Sequence, residues 1–296
     1  MCLEPAKPFA EDISVVALFM KNDGYPDSTI NSTVKRLRNL AAESNLREPN
    51  TVKALLAEKK VSDGFKSNLC DAYGHFLDCH GLAWTRPRYK REKGLPRVPS
   101  TENVERIIAR CRWRYATIFS ILRDVGAMPE ELHRVKRRDI DLDVGTLNLP
   151  GCKFHKPRVR KVKAETLAML KRFLTDNLSD QPFPSYSKMY DAWRRARNPL
   201  SVNLGNPQIK TIRLYDLRHY FGSHHYRKTQ NILMTKEAMG HSRVETTLVY
   251  TKLIDFSECD FICKAAKDAK EAMMLIEEGF TFVCDMEGIK LFRKPK

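Results

Sequence analysis

The chain has 296 residues, of which 42% are hydrophobic and 30% charged, so wholesale disorder is excluded and about two domains with cores of their own are expected. It contains no apolar run long enough for a membrane span, and its start lacks the basic-then-apolar pattern of a secretory signal, so we expect a cytoplasmic protein. The formal net charge of +16 favours a polyanionic partner over a membrane or a small-molecule substrate.

The positive charge is unevenly distributed. Residues 256–296 carry 7 basic and 8 acidic side chains, so the whole excess belongs to the rest of the chain. A basic surface without a polyanionic partner is the alternative interpretation of that excess. None of the 8 cysteines forms a CxxC pair, and no carboxylate cluster suits a cation, so we expect neither a metal nor another cofactor.

The first part of the chain predicts helices. Residues 1–25 have little periodicity, and we expect a flexible N-terminus with one short helix near residues 13–21. Residues 26–84 predict a small all-α domain, because STINSTVKRLRNLAAE, PNTVKALLAEKK and SDGFKSNLCDAYGHFLDCHG repeat apolar residues at helical spacing. Asn50 and Ser62 are candidate N-caps and Gly81 a helix stop, and lysines and arginines give these helices basic faces.

A basic segment, TRPRYKREKGLPRVPS, occupies residues 85–100. It contains 6 basic residues against 1 acidic residue, with 3 prolines and 1 glycine. Proline and charge keep such a segment extended and out of a core, so we interpret it as an interdomain linker. Its charge also indicates that it lies along phosphates, as a clamp around a duplex. The side chains assigned to that contact are Arg86, Arg88, Lys90, Arg91 and Lys93.

A second domain is predicted over residues 101–255. It opens with a capping-box helix, TENVERIIARC, and continues with helices through RWRYATIFSILRDVG and PEELHRVKRRD. A β-hairpin follows, in which TLNLPG and RVRKVKA alternate in the β manner around the loop CKFHKP. The amphipathic segment ETLAMLKRFLTDN and the segments after it are predicted to be mainly helical.

Residues 256–296 predict a β-rich appendage of strand, helix, strand, turn and strand. Gly279 ends the predicted helix and Glu287-Gly288 forms the hairpin turn. The expected fold class is therefore mainly α with small β elements (α+β), with the appendage serving packing or oligomer contacts.

Two motifs near the end of the second domain carry the functional signal. They are YDLRHYFGS at residues 215–223 and MGHSRVETTLVYT at residues 239–251. In these motifs and in its domain order the chain resembles the tyrosine recombinase (phage integrase) family, which has a helical core-binding domain, a basic linker and a catalytic domain. That family has a His-x-x-Arg box, a Gly-His turn and a tyrosine nine residues later. The Tyr-x-x-Arg form of the box and the ending DMEGIKLFRKPK resemble archaeal integrases.

The resemblance implies a site-specific DNA recombinase or integrase acting on double-stranded DNA. A tyrosine hydroxyl attacks a phosphodiester, leaving a 3′-phosphotyrosine link and a free 5′-hydroxyl, and the strand later rejoins to a partner duplex without ATP or metal. Tyr250 takes the nucleophile position, Arg218 a phosphate-binding position and His241 the Gly-His position. Tyr215 stands where many relatives have histidine, and it can donate a hydrogen bond. Relatives act as tetramers on paired sites, and we expect a nucleoid-associated protein.

The family's general acid is a lysine in the hairpin loop. Lys153 matches that position best, and Lys156 is the alternative. Further basic side chains of this domain are predicted to contact DNA, namely Lys156, Arg158, Arg160 and Arg213.

The chain departs from the family at its first arginine. The family pattern TGxRxxEL corresponds to VGAMPEEL at residues 125–132, in which Met128 stands at the arginine position. Loss of one preorganised donor costs roughly 10²–10³ in rate. Arg123 or Arg134 are the nearest candidates to replace it. Three interpretations remain: a recombinase with residual or rearranged catalysis, an inactive form that still binds and synapses DNA, and an architectural DNA-binding protein on the recombinase scaffold.

Overall fold

The structure is a computed structural model that describes residues 9–90, 94–152, 155–253, 261–286 and 288–295. The chain is mainly α-helical with small antiparallel sheets, which confirms the predicted fold class. It divides into two compact units, Met1–Gly94 and Leu95–Lys296. The division falls within the segment that the sequence predicts to be a linker.

The first unit is a helical domain built around one apolar core. Its helices are α1 (Ala10–Asn22), α2 (Asp27–Ala41), α3 (Pro49–Glu58) and α4 (Asp63–His80). Apolar residues three and four positions apart place one face of each helix in the core. Ser62 caps α4 by accepting a hydrogen bond from the backbone nitrogen of Phe65, and Gly81 ends that helix in the left-handed conformation. The predicted cap at Asn50 is wrong, because α3 begins at Pro49 and its N-cap is Glu48.

Helix α1 lies where the sequence predicts one short helix, and it packs into the core of the first unit. Ile13, Val16 and Met20 are fully buried in the core of the first unit. Their spacing puts them on one face of the helix, and that face packs against α2 and α4. The compact part of this unit therefore begins well before residue 26.

The start of the basic segment is extended but packed on the first unit. Trp84 lies edge-on to Tyr73, with ring centroids 4.9 Å apart, and Tyr89 contacts the same core. Arg86 pairs with Asp71 at 2.6 Å, so this predicted DNA contact is held by a carboxylate. Arg88 and Lys90 are exposed, whereas Arg91 and Lys93 lie outside the described residues.

The second unit begins with helices and a small sheet. The helices are α5 (Thr101–Ala109), α6 (Trp113–Val125), α7 (Pro129–His133), α8 (Ala164–Thr175), α9 (Tyr186–Asn203), α10 (Pro207–Thr211), α11 (Asp216–Thr229) and α12 (Ile232–Met239). The antiparallel sheet has the order β1 (Ile140–Asp141), β2 (Thr146–Leu149) and β3 (Arg158–Lys161). The predicted hairpin is thus present, with Leu147 opposite Arg160. The core lies among α5, α6, α8 and α9, where Trp193 and Phe119 meet edge-on.

The C-terminal segment has the predicted order of strand, helix, strand and strand. Its elements are β4 (Phe261–Ala266), α13 (Ala269–Glu277), β5 (Thr281–Met286) and β6 (Ile289–Pro295). The strands form an antiparallel sheet in the order β4-β6-β5, over a small core that includes Leu275 and Phe292. Among the described residues, no helix has the length and apolarity to cross a membrane, and no group of three or more metal-ligating side chains occurs.

Candidate active site

Helix α11 places Arg218 in the interior of the second unit. Asp216, in its first turn, accepts hydrogen bonds from the backbone nitrogen and the guanidinium of Arg213, both at 2.8 Å, which fixes the start of the helix. Arg218 follows half a turn later and is only 1% exposed. Its Nη atoms donate to the carbonyl oxygens of Gly126 at 2.6 Å and Met239 at 2.5 Å. Its Nε has no hydrogen-bond partner among the described residues.

The Gly-His turn follows α12 and is joined to the hairpin loop. Gly240 ends the helix with φ of +69°, and a β-carbon there would lie 2.8 Å from the carbonyl oxygen of Lys156, so the approach requires glycine. The backbone nitrogen of Lys156 donates to the carbonyl oxygen of Gly240 at 2.8 Å, and His155 forms an antiparallel bridge with His241. The buried ring of His241 holds its Nδ1 2.8 Å from Oγ1 of Thr247.

Tyr250 lies in a 3₁₀ turn, Leu248–Leu253, and is 2% exposed. Its hydroxyl is 3.1 Å from Nδ1 of His219 on α11. The ring packs over Gly222, where an added β-carbon would lie 2.6 Å from Cζ of Tyr250 and 2.7 Å from Sδ of Met239. Helix α11 therefore presents a surface without side-chain bulk to the tyrosine.

The surroundings keep these rings neutral. Burial lowers the pKa of His241 to about 3, with further lowering by the charge of Arg218. Burial raises the pKa of Tyr250 well above its ordinary value, and the charge of Arg218 offsets only part of that rise. Burial also lowers the pKa of His219. At neutral pH each of these imidazoles is therefore a hydrogen-bonding group rather than a cation.

A buried carboxylate, Glu131 of α7, lies at the centre of the charged part of the site. Arg158 donates to both carboxylate oxygens, at 3.0 and 2.9 Å, and to the carbonyl oxygen of Ala238 at 3.0 Å. Nδ1 of His155 is 3.2 Å from one oxygen, and Nη1 of Arg218 is 3.6 Å from the other. Burial raises the pKa of Glu131, but these hydrogen bonds and charges outweigh it and lower the pKa to about 2. Two guanidiniums thus share one carboxylate, leaving one excess positive charge.

Met128 is the N-cap of α7 and is 8% exposed. Its backbone nitrogen donates to Glu131 at 2.8 Å, while its thioether supplies no charge. Arg123 does not replace the missing guanidinium, since it pairs with Glu105 at 2.6 Å and Asp124 at 2.9 Å. Arg134 is exposed at the end of α7, and no contact places it in the site.

The other predicted site residues are placed as follows. Lys153 lies outside the described residues, and the side chain of Lys156 is exposed. Arg158 is turned into the protein by its pairing with Glu131, which is contrary to its predicted DNA contact. Arg160 packs over the ring of Phe221, with burial lowering its pKa, so its guanidinium is also turned inward.

Two further predicted residues lie at the start of α11. Arg213 keeps a 63% exposed side chain but pairs with Asp216 at 2.8 Å. Tyr215 is 37% exposed, and its ring meets the ring of His219 edge-on at 5.2 Å. The structure thus brings Arg218, His241 and Tyr250 together. Tyr215 contacts His219, which in turn contacts Tyr250.

Three residues of the site escaped the sequence analysis: His219, Glu131 and His155. His219 follows Arg218 directly in the motif, but it is no part of the Tyr-x-x-Arg box, and only the fold shows its contact with Tyr250. Glu131 matched the family pattern, but its partners lie 24 and 27 residues away along the chain. Its match to the family pattern was the available signal.

Comparisons with known proteins show the family of the chain. Residues 98–255 match the phage integrase family. Over 200 residues the chain is 28% identical to the tyrosine recombinase XerA of Thermococcus kodakarensis, covering 64% of this chain and 68% of that protein. Over 153 residues it is 28% identical to a probable integrase/recombinase of Methanocaldococcus jannaschii, covering 48% of this chain and 46% of that protein. The chain thus spans about half to two thirds of these relatives.

Solved structures share the fold. An integrase of the Tn1549 transposon, in complex with transposon right end DNA, superposes with a TM-score of 0.62 at 13% identity, covering 90% of this chain and 99% of that one. XerH recombinase bound to its difH substrate superposes with a TM-score of 0.60 at 16% identity, covering 84% and 95%. The family match spans more than half of the chain, so the protein belongs to the phage integrase family of tyrosine recombinases and is of the archaeal type.

Proposed function

We propose that the chain is a site-specific DNA recombinase that breaks and rejoins strands through a 3′-phosphotyrosine link at Tyr250. The convergence of Arg218, His241 and Tyr250 in one buried cluster carries this proposal. The net charge of +16 supports a DNA partner, as do the solved relatives described as complexes with DNA.

Each group has a role that follows from its chemistry. Arg218 supplies a buried positive charge to a non-bridging phosphate oxygen, whose negative charge grows in the transition state. When the hydroxyl of Thr247 donates to Nδ1 of His241, Nε2 of that ring carries the proton and donates to the phosphate. The phenol of Tyr250 forms the new bond to phosphorus as the 5′-oxygen leaves.

The leaving 5′-oxygen needs a proton, and the hairpin loop is the source we propose. Lys153 and Lys156 are the candidates, because the loop is joined to the Gly-His turn by the Lys156–Gly240 hydrogen bond. In rejoining, the neutral lysine takes the proton of the incoming 5′-hydroxyl as that oxygen attacks phosphorus and displaces the phenolate of Tyr250.

The rest of the basic surface positions the duplex. Arg88 and Lys90 are exposed and suited to phosphate contacts, and we assign the same role to Arg91 and Lys93. We further propose that protomers assemble as a tetramer on paired DNA sites in the nucleoid.

A second candidate function is architectural. Met128 occupies the expected place of a catalytic arginine and carries no charge, which favours a protein that binds and bends DNA without cleaving it. DNA binding through the basic segments does not depend on Met128.

The two candidates are separated by covalent capture. Duplexes bound by the protein are first selected from a randomised library by gel retardation, and they are then nicked so that cleavage traps the protein on DNA. We expect an adduct on a denaturing gel from the wild type and none from Tyr250→Phe, with retardation unchanged. An adduct that persists in Tyr250→Phe contradicts the nucleophile, and bound duplexes without any adduct support the architectural candidate.

Salt dependence tests the DNA partner itself. If several phosphates are neutralised, affinity for the selected duplex falls by about 10³-fold or more between roughly 50 and 200 mM salt. An affinity that changes little over this range contradicts binding through the basic segments.

A further inference from the structure

We propose that His219 is a catalytic base of the strand-cleavage reaction, accepting the phenolic proton of Tyr250 on its Nδ1 as Tyr250 attacks the phosphodiester. The inference rests on the proposed strand-cleavage function. It concerns a residue outside the Tyr-x-x-Arg box, the Gly-His turn and the hairpin lysine, and it answers how a buried phenol becomes a nucleophile.

The geometry is the first support. Nδ1 of His219 lies 3.1 Å from the hydroxyl oxygen of Tyr250, within the range for direct proton transfer. Among the described residues, His219 is the hydrogen-bond partner of the Tyr250 hydroxyl, so the phenolic proton already faces the imidazole that would accept it. With Nε2 carrying the ring proton, Nδ1 accepts from the phenol.

Tyr215, the first residue of the Tyr-x-x-Arg box, does not supply a general base. Tyr215 stands where relatives have histidine, and a phenol is a poor base at neutral pH. Its ring lies edge-on to His219 at 5.2 Å. The Tyr-x-x-Arg box therefore contains no imidazole, but His219 lies one helical turn after Tyr215 and contacts Tyr250.

The electrostatic surroundings keep His219 unprotonated. Burial lowers the pKa of its imidazole, and the charges of Arg213 and Arg218 lower it further, while Asp216 opposes them. Tyr250 faces the ring from the 3₁₀ turn and is itself neutral because burial raises its pKa. A neutral imidazole beside a neutral phenol is the protonation state that general base catalysis requires.

The step balances in atoms and charge. The O–H bond of Tyr250 breaks and its proton forms a bond to Nδ1 of His219, while Oη of Tyr250 bonds to phosphorus. The bond from phosphorus to the 5′-oxygen breaks, and that oxygen takes a proton from the hairpin lysine. In rejoining, imidazolium returns its proton to the departing phenolate.

The test uses the full-length protein and the duplex obtained by selection, prepared with a 5′-bridging phosphorothiolate. Its thiolate leaves without a proton, so adduct formation reports activation of Tyr250 and not the action of the lysine. We expect His219→Ala to slow adduct formation by about 10²–10⁴-fold, and added imidazole to restore part of the rate. His224→Asn, on the same helix and outside the site, is the matched control and is expected to stay within about two-fold of wild type.

The pH dependence of the rate of adduct formation distinguishes a general base from a residue that only positions Tyr250. The wild-type rate should rise with pH and level off once His219 is neutral, below about pH 6.5. In His219→Asn, which keeps a hydrogen-bonding group near the position of Nδ1, the rate should instead keep rising with pH because only hydroxide removes the proton. Retardation of the duplex and the urea midpoint establish that each variant is folded.

Two results overturn the inference. If the wild type forms adduct while His219→Ala is neither slower nor rescued by imidazole, or its pH profile matches that of wild type, His219 is not the base and the recombinase function stands. If the wild type forms no adduct even on the phosphorothiolate duplex, the strand-cleavage function fails and the role of His219 fails with it.

Discussion

Two segments of the candidate active site, residues 125–132 and residues 240–250, use burial in opposite ways. In the first, Glu131 is fully buried yet ionised, because two arginines and a histidine surround it and lower its pKa to about 2. In the second, His241 and Tyr250 are equally buried and neutral, because burial outweighs the nearby charges. A buried group thus keeps its charge only where hydrogen-bonded countercharges replace water.

The charged segment can be broken at Glu131. Glu131→Gln removes the countercharge from Arg158 and Arg218 while leaving the shape unchanged, so two buried cations face each other. We expect a loss of about 3–5 kcal/mol in the free energy of unfolding, measured in urea.

Glu130→Gln is the matched control, since Glu130 is the adjacent residue and lies partly exposed. Its effect should stay within about 0.5 kcal/mol. Equal effects from the two variants would mean that Glu131 is not the electrostatic centre of the site.

The charged segment can also be completed. Met128→Arg restores the guanidinium of the family pattern beside Glu131, and we expect adduct formation to rise by roughly 10²–10³-fold. The rate of adduct formation on the selected nicked duplex measures it, and Met128→Leu, which changes volume but not charge, should match the wild type. A Met128→Arg variant no faster than Met128→Leu would show that the missing guanidinium at position 128 does not limit strand cleavage.

The neutral segment depends on space. In Gly222→Ala the new methyl group meets the ring of Tyr250 at 2.6 Å, and overpacking of this kind costs about 1–3 kcal/mol. Gly74→Ala in α4 is the control, because nothing lies within 4 Å of its added β-carbon and the helix should gain about 0.5–1 kcal/mol. Urea unfolding of both variants decides whether Tyr250 is as closely packed as the structure indicates.

The smallest expected effect is on the pH dependence of stability. His241 has a folded pKa of about 3 and an unfolded pKa near 6.5, so the unfolded chain binds the proton first. Its contribution is complete above about pH 6.5 and is lost as the pH falls toward 3, with about 1–2 kcal/mol gone by pH 5. Urea midpoints at pH 7 and pH 5 should differ less in His241→Asn than in wild type, and an equal difference would contradict a neutral buried His241.

Much of the fold could be predicted because its signals are local. Apolar spacing, the Ser62 cap and the glycine stops indicated the helices of the first unit, and alternation indicated the hairpin. Helix α1 was predicted near residues 13–21, but its place in the core was not, because α2 and α4 determine which of its apolar residues are buried.

The site was predictable only where its residues share a short motif. Arg218, His241 and Tyr250 occur in two neighbouring motifs, and the resemblance of those motifs to the family made them candidates before the fold was known. The pairing of Glu131 with Arg158 joins α7 to β3, and no local pattern reports which of many arginines turns inward. The DNA contacts of Arg158 and Arg160 were predicted from charge alone, and the charge of a residue does not indicate whether its side chain points to solvent or into the protein.

The junction between the hairpin loop and the Gly-His turn is made by main-chain atoms, through the Lys156–Gly240 hydrogen bond and the bridge between His155 and His241. The spacing between the hairpin loop and the Gly-His turn is therefore set by the backbone, with glycine required at position 240. At position 156 the hydrogen bond needs only a backbone N–H, which every residue but one type supplies. The one change at position 156 that removes the tie outright is proline, which has no N–H to donate.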